Sequence, residues 1–285
     1  MSDTQVWTPS EHELARRSVR RRQRVRSTVI ATVMTVAVLG LVVAGLLSSP
    51  GWPRVKEYFF SPEAARESWR AVLEAMWLNV RLFVLCEIGI LALGLLIAVA
   101  RTTRSAWLAP VRVVAVVYTD VVRGIPTILL ITMFGFGIPA LQLQGLTNDR
   151  VVWAGVALVV SYSAYVSEVF RSGIESVHPS QVASARALGL SEGRILRHVV
   201  VPQAVRRIVP PLLNDFVSLQ KDTALVSVLG VLDGVFWATN YANYNFNYTP
   251  MVVVAIYFIV LTVPLARLTD HLQKRVVERE RAGAR

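Results

Sequence analysis

The sequence predicts an all-α fold, a polytopic membrane bundle of six spans with both termini in the cytoplasm. Three observations carry that reading. Apolar runs of about 20 residues, the length that crosses a hydrocarbon core, recur along the chain. They fall at roughly 28–48, 76–100, 110–137, 151–170, 208–230 and 250–268. Of 285 residues 54% are hydrophobic and only 17% charged, which leaves no stretch for a separate soluble domain. The basic residues are also asymmetric. With residue 1 inside, segments 1–27, 101–112, 171–207 and 264–285 hold 22 of the 30 Lys and Arg, against 5 in 49–70, 137–150 and 231–250. That bias is the positive-inside signature and sets the orientation.

The formal charge of +11 raises the question of nucleic acid. Its placement beside the spans is the ordinary topology signal, so no nucleic-acid partner is expected. The first span is too long, after a 27-residue leader, to be a cleaved signal peptide, and it lacks a small-x-small site. It reads as a retained anchor. Arg16-Arg17 lacks the context of a twin-arginine signal. The lone Cys86 lies mid-span, excludes an intramolecular disulfide and says nothing of redox compartment.

The elements follow in order. Residues 1–27 are polar and Arg-rich and read as a flexible or surface-lying cytoplasmic tail before the 28–48 span. Ser48 to Pro53 is a cluster of turn formers. Segment 49–75 reads as external and interfacial, its part from Pro62 being an amphipathic lead-in to span two, with Trp69 and Trp77 suited to an interfacial belt. Span three carries Arg123-Gly-Ile-Pro126, where proline should break or kink the helix. Exposed carbonyls at such a break face either protein or a wet cavity, so packing kink and translocation path stand as alternatives. Span five begins at Pro210-Pro211 and carries Asn214, Asp215, Gln220, Lys221, Asp222 and Thr223, too polar a face for lipid. Adjacent Lys221 and Asp222 point apart on a helix and each needs another partner. The connection 236–248, aromatic and Asn-rich, reads as an outer interfacial anchor, and its Asn247-Tyr-Thr249 sequon as chance. A domain of 76–275 and a cytoplasmic tail of 276–285 complete the chain.

Between spans four and five lies a soluble stretch unusually long for a membrane protein, Val177 to Pro202. Ser180 is the expected N-cap and Ala183 to Leu188 are good helix formers. Gly189 suits the left-handed position that ends a helix. Ser191 caps a second helix to about Val201, closed by Pro202. Helix, turn, helix is the result, with Arg186, Arg194 and Arg197 among apolar residues.

This stretch resembles the EAA loop of ABC-importer permeases. The family pattern is Glu-Ala-Ala, three residues, Gly, nine residues, Ile-x-Leu-Pro; here it is Ala183-Ser184-Ala185, Gly189 and Val199-Val-Val201-Pro202. Ala164-Tyr-Val-Ser-Glu168-Val-Phe-Arg171-Ser-Gly173-Ile-Glu-Ser-Val177, Tyr118-Thr-Asp-Val-Val-Arg123-Gly-Ile-Pro126 and Lys221-Asp-Thr-Ala-Leu-Val-Ser-Val-Leu-Gly230 are similar to segments of the polar amino-acid uptake subfamily, in the family's order over about 76–275. There are departures. The Glu of the pattern is Ala183, where a Glu three residues after Ser180 would complete a capping box. Its loss should cost the loop helix up to about 1 kcal/mol. The family core has five spans, so 28–48 is an extra one, and stretch 236–248 is more aromatic than usual.

The resemblance implies the five-span type I ABC-importer core and a translocation subunit for amino acids. No Gly-x-x-x-x-Gly-Lys-Ser/Thr loop occurs, so the chain is not expected to be an enzyme or to bind a cofactor. ATP with magnesium would be held by a partner ATPase dimer. An extracytoplasmic amino-acid-binding protein, a second or related permease, the amino-acid substrate and membrane lipid are the other implied partners. The docking loop candidates are Ser180, Gln181, Ala183, Ala185, Arg186, Gly189, Arg194 and Pro202. The substrate-path candidates are Asp120, Arg123, Glu168, Lys221 and Asp222, since ionisable groups at membrane depth are functional by default. Glu168 has a competing role as partner of Arg171 at i+3. Glu87 is also deep, and Arg81 snorkels. His12, His178, His198 and His271 lie outside the spans and form no evident ligand motif. A non-transporting scaffold or sensor on the same helices is the alternative.

Overall fold

The structure is a computed structural model and describes residues 10–103 and 105–283. The chain divides into two compact units, 1–57 and 58–285.

In the first unit, helix α1 runs over Glu11–Leu47, with the Ser10 hydroxyl accepting from the Glu13 amide at its start. The Arg-rich segment expected to be a tail is thus helical from Glu11; the rest of the expected tail, 1–9, lies outside the described residues. Thirty-seven residues at 1.5 Å each reach about 55 Å, well beyond a ~30 Å hydrocarbon core. The charged half therefore extends the spanning half as one rod. Helix α2 follows the turn, Trp52–Phe59.

The second unit is built around two long helices. Helix α3 spans Pro62–Thr102, its Ser61 N-cap accepting from the Ala64 amide at 3.3 Å. The lead-in and span two are therefore one continuous helix of 41 residues. Ala64, Ser68, Val72, Met76, Asn79, Leu82, Cys86, Ile90 and Gly94 form one buried stripe at three- and four-residue spacing. Against it lies α7, Arg150–Glu175, capped by Asp149. The middle of α7, from Ser161 to Ala164, is buried on every side, which makes it the bundle's central helix. Gly94 lets the two approach: a Cβ there would stand 2.8 Å from Val166 Cγ1.

Span three is broken where proline predicts. Helix α4, Ala109–Arg123, ends at Gly124; α5, Thr127–Thr132, restarts after Pro126 and continues through a π-turn, Met133–Gly137, into α6, Ile138–Ala140. The two arms bend by 102°. Hydrogen bonds tie both arms to α7: Tyr118 Oη donates to the Val160 carbonyl at 2.6 Å, and Thr127 Oγ1 lies 2.9 Å from Ser161 Oγ.

Helix α8, Pro179–Ala187, and α9, Glu192–Ile195, form the loop. Helix α10 covers Val201–Asp222 and gives way to a 3₁₀ segment, Thr223–Leu229, that ends on left-handed Gly230. Helix α11, Gly234–Asn245, starts at the Asp233 N-cap, 48° off the preceding arm. The aromatic connection is therefore largely this helix. Helix α12, Thr249–Gly283, closes the bundle and carries Pro264 inside. Among the described residues, four helices are by themselves long and apolar enough to span, and up to six spans result if each bent pair counts as one.

Candidate functional site

The loop begins just beyond a close joint between α7 and α10. Gly173 packs directly on Ile208, so any side chain there would force the helices apart. Arg207 donates to the carbonyl of Ser176, the last residue of the α7 cap. From this joint α8 departs. Its N-cap is His178, not Ser180: Nδ1 accepts from the Ser180 amide at 3.2 Å and lies 2.7 Å from Ser180 Oγ. Pro179 then opens the helix, a position where its missing amide hydrogen is no loss. The cap shift places Gln181, not Ala183, at the third helical position. Ala183 is therefore not in a capping box, and its missing carboxylate costs no cap.

The turn after α8 is the predicted one. Gly189 has φ +75°, which a side chain would strain. The Leu190 amide donates to the Ala185 carbonyl at 3.2 Å and the Gly189 amide to that of Arg186 at 3.0 Å. This pair of bonds is a Schellman ending. Ala185 and Ile195 are buried, holding α8 against α9.

Pro202 does not end the second helix. The π-turn Leu196–Val200 precedes it, with the Val201 amide bonded back to Leu196, and Pro202 sits in the first turn of α10. The extra residue of the π-turn shifts the ladder, so the proline falls where no donor is required. Pro210 and Pro211 likewise lie inside α10 and do not start it. Loop and span five are thus mechanically one rod from Glu192 to Asp222.

Of the docking candidates, Ser180, Gln181, Ala183, Arg186, Gly189, Arg194 and Pro202 are exposed and Ala185 is the buried anchor. Of the path candidates, the structure links two. Arg123 lies over the Tyr165 ring at 5.6 Å from its centroid, the Tyr162 and Tyr165 rings are 6.4 Å apart, and Tyr162 Oη donates to Asp222 Oδ2 at 2.7 Å. The last residues of α4 and α10 are so joined across α7. Asp120 and Lys221 are exposed and outside this chain of contacts. Glu168 stands apart too: it pairs with Arg171, as its spacing predicts, and with Arg101 Nη1 at 2.7 Å.

The family model for the inner membrane component of binding-protein-dependent transport systems matches residues 90–278. The chain belongs to this family. Among relatives of this permease, a probable glutamine ABC transporter permease of Bacillus subtilis is 32% identical over 189 residues, covering 66% of this chain and 85% of its own. An arginine transport system permease of the same organism is 30% identical, with 72% and 92% covered. A solved amino acid ABC transporter with histidines superposes with a TM-score of 0.68 at 27% identity, covering 75% of this chain and 98% of that one. All three are described as transport proteins, which leaves the scaffold or sensor reading without support. The permease is a multi-pass protein of the bacterial plasma membrane, and the ATPase of such a system is a separate subunit, as is its binding protein.

Several groups in the permease escaped sequence reasoning. Leu188 is 81% exposed on the turn of the loop, an apolar side chain offered outward. Asn79 and Asp233 are buried 2.9 Å apart. Asp233 went unnoticed because the helix it caps had been assigned to a connection. Asp215 on α10 and Glu87 on α3 were each legible as polar groups within their spans, but that they lie within electrostatic reach of one another left no sign in their sequence spacing.

Proposed function

We propose that this permease takes polar amino acids across the membrane as one of a pair, and that α8 is the element its ATPase grips. The observation that carries the docking reading is the Gly189 turn. It ends α8 with its carbonyls satisfied and holds Leu188 outward, while α9 runs without interruption into α10. A push on α8 is thereby passed to α10 and, through the Gly173–Ile208 joint, to α7. ATP with magnesium belongs to the partner ATPase dimer, delivery of substrate to the extracytoplasmic binding protein.

Asp120, Arg123 and Lys221 support the second permease subunit. Charges at membrane depth do not face lipid, and these three are exposed in the single chain, so a second copy or related permease and a wet path between them cover the charges. A zwitterion needs donors for its carboxylate and acceptors for its ammonium; Arg123 and Lys221 supply the first, Asp120, Asp222 and Glu168 the second. The glutamine and arginine relatives support a polar substrate.

The test uses the reconstituted permease, ATPase and binding protein. Gly189→Arg should insert and assemble normally yet lose substrate-stimulated ATP hydrolysis; full stimulation in that variant rejects the docking role. Alanine at Asp120, Glu168 and Asp222, each alone, should include one variant with weakened uptake. Unchanged apparent affinity in all three rejects the path.

A further inference from the structure

Where α3, α10 and α12 meet, the side chains leave a cavity of about 190 Å³. Met76, Phe83 and Leu265 give it apolar walls, and Phe83 is itself held by a tilted stack on Phe216, 4.6 Å between centroids. Two amides also line it, Asn79 from α3 and Gln220 from the last turn of α10. Both residues are buried, at 3% and 7% exposure. Their hydrogen bonding differs. Asn79 uses its amide nitrogen on Asp233 and on the Thr223 carbonyl. Gln220 Oε1 accepts from the Thr262 hydroxyl of α12 at 2.6 Å, but Nε2 meets no acceptor among the described residues. A buried donor left so costs about 1–3 kcal/mol.

Water is a poor remedy. A buried water makes about three hydrogen bonds, and this cavity offers it one free donor group among hydrocarbon. Apolar cavities of about 150 Å³ stay dry and take up benzene, so the space suits a ring-sized molecule. Its position suits one dissolved in the bilayer. Val84 and Leu261 line the cavity and are also exposed on the outside of the chain, well within spans two and six. A molecule in the hydrocarbon reaches Gln220 between them.

We propose that this cavity binds a small neutral molecule from the membrane, a ring-sized apolar body bearing one carbonyl acceptor. The carbonyl takes the Gln220 Nε2 hydrogens. The body lies against Phe83 and Met76, an aromatic ring and a polarisable thioether that both pack well on a ring. A charged guest is refused, because no charged residue lines the cavity among the described residues and a lone buried charge is costly. The same argument refuses a zwitterionic amino acid, so this site is separate from the substrate path. An occupant ties α3, α10 and α12 together beside Asn79, which holds the break between α10 and α11. It is therefore an effector of the permease and not its cargo.

The test compares two probes of one shape. The purified permease–ATPase complex in phosphatidylcholine nanodiscs is titrated with para-fluoroacetophenone and with para-fluoro-α-methylstyrene, which carries a methylene in place of the carbonyl oxygen. Binding is read by fluorine NMR, each probe referred to its own concentration in the bilayer and to empty nanodiscs. The wild type should hold the ketone about fivefold more tightly, the effect of one net hydrogen bond. Gln220→Leu removes the donor at similar volume and should abolish that preference while the hydrocarbon probe still binds. Val80→Phe, which fills the cavity from α3, should lose both probes. The wild-type comparison needs no variant to fold. Equal affinity for the two probes there overturns the proposal, as does binding of neither. So does a ketone preference that survives Gln220→Leu, or binding of both probes unaltered by Val80→Phe.

Discussion

Asn79 Nδ2 donates to Asp233 Oδ2 at 2.9 Å and also to the Thr223 carbonyl at 3.1 Å. One side chain on α3 therefore holds both ends of the break between α10 and α11. Its Oδ1 receives the Gly234 amide at 3.3 Å, so all of Asn79 is used. Removing it as Asn79→Ala leaves a buried carboxylate and a buried carbonyl short of donors, a loss of about 2–3 kcal/mol. The purified variant should melt several degrees lower. An Asn79→Ala/Asp233→Asn pair should recover part of the difference, since the orphaned charge is then gone. No change in melting temperature on Asn79→Ala would show that the break is held by packing alone.

At Gly189 the strain is conformational and not steric, because nothing lies within 4 Å of where a Cβ would stand. Gly189→Ala should therefore weaken the loop by about 1 kcal/mol, the cost of a left-handed residue with a side chain. Gly189→Asn should recover much of it, since asparagine tolerates that region better. Titrating the ATPase onto the reconstituted variants orders them as Gly above Asn above Ala. If alanine binds as glycine does, the Schellman turn is not what presents the loop.

Local chemistry was legible in the sequence, and long-range pairing was not. Gly189 follows a run of good helix formers, and only one kind of turn fits that grammar. Pro126 removes a donor inside an apolar run, so the break in span three could be read from the residues alone. Pro202 shows the limit: the same rule predicted a stop, but the five-residue π-turn Leu196–Val200 just upstream places the proline where no donor is required. Ser180 lost the cap to His178 because an imidazole nitrogen can accept as a hydroxyl does. Asn79 and Asp233 are 154 residues apart in the chain, and Tyr162 and Asp222 are 60 apart. No periodicity in either segment records its partner, so only packing reveals the two pairs.

Tyr162 offers the sharpest test of the membrane path. Its hydroxyl is the partner that holds the Asp222 carboxylate, and its ring lies beside Tyr165, which in turn stacks under Arg123. Tyr162→Phe keeps the ring and removes only the donor, a loss of about 1.5–3 kcal/mol for a bond to a charged group. Two outcomes then separate. If Asp222 serves substrate, freeing its carboxylate alters how the ammonium is met, and the concentration dependence of uptake shifts while the melting temperature falls only slightly. If the bond is a structural brace between α7 and α10, stability falls and the uptake curve keeps its midpoint. Uptake by the reconstituted complex, measured beside thermal melting of the same preparation, should show the first pattern. Arg123→Gln, at the other end of the same contacts, should shift the midpoint as well, since it supplies the opposite charge for the same zwitterion. A midpoint unmoved in both variants would remove Asp222 and Arg123 from the path together.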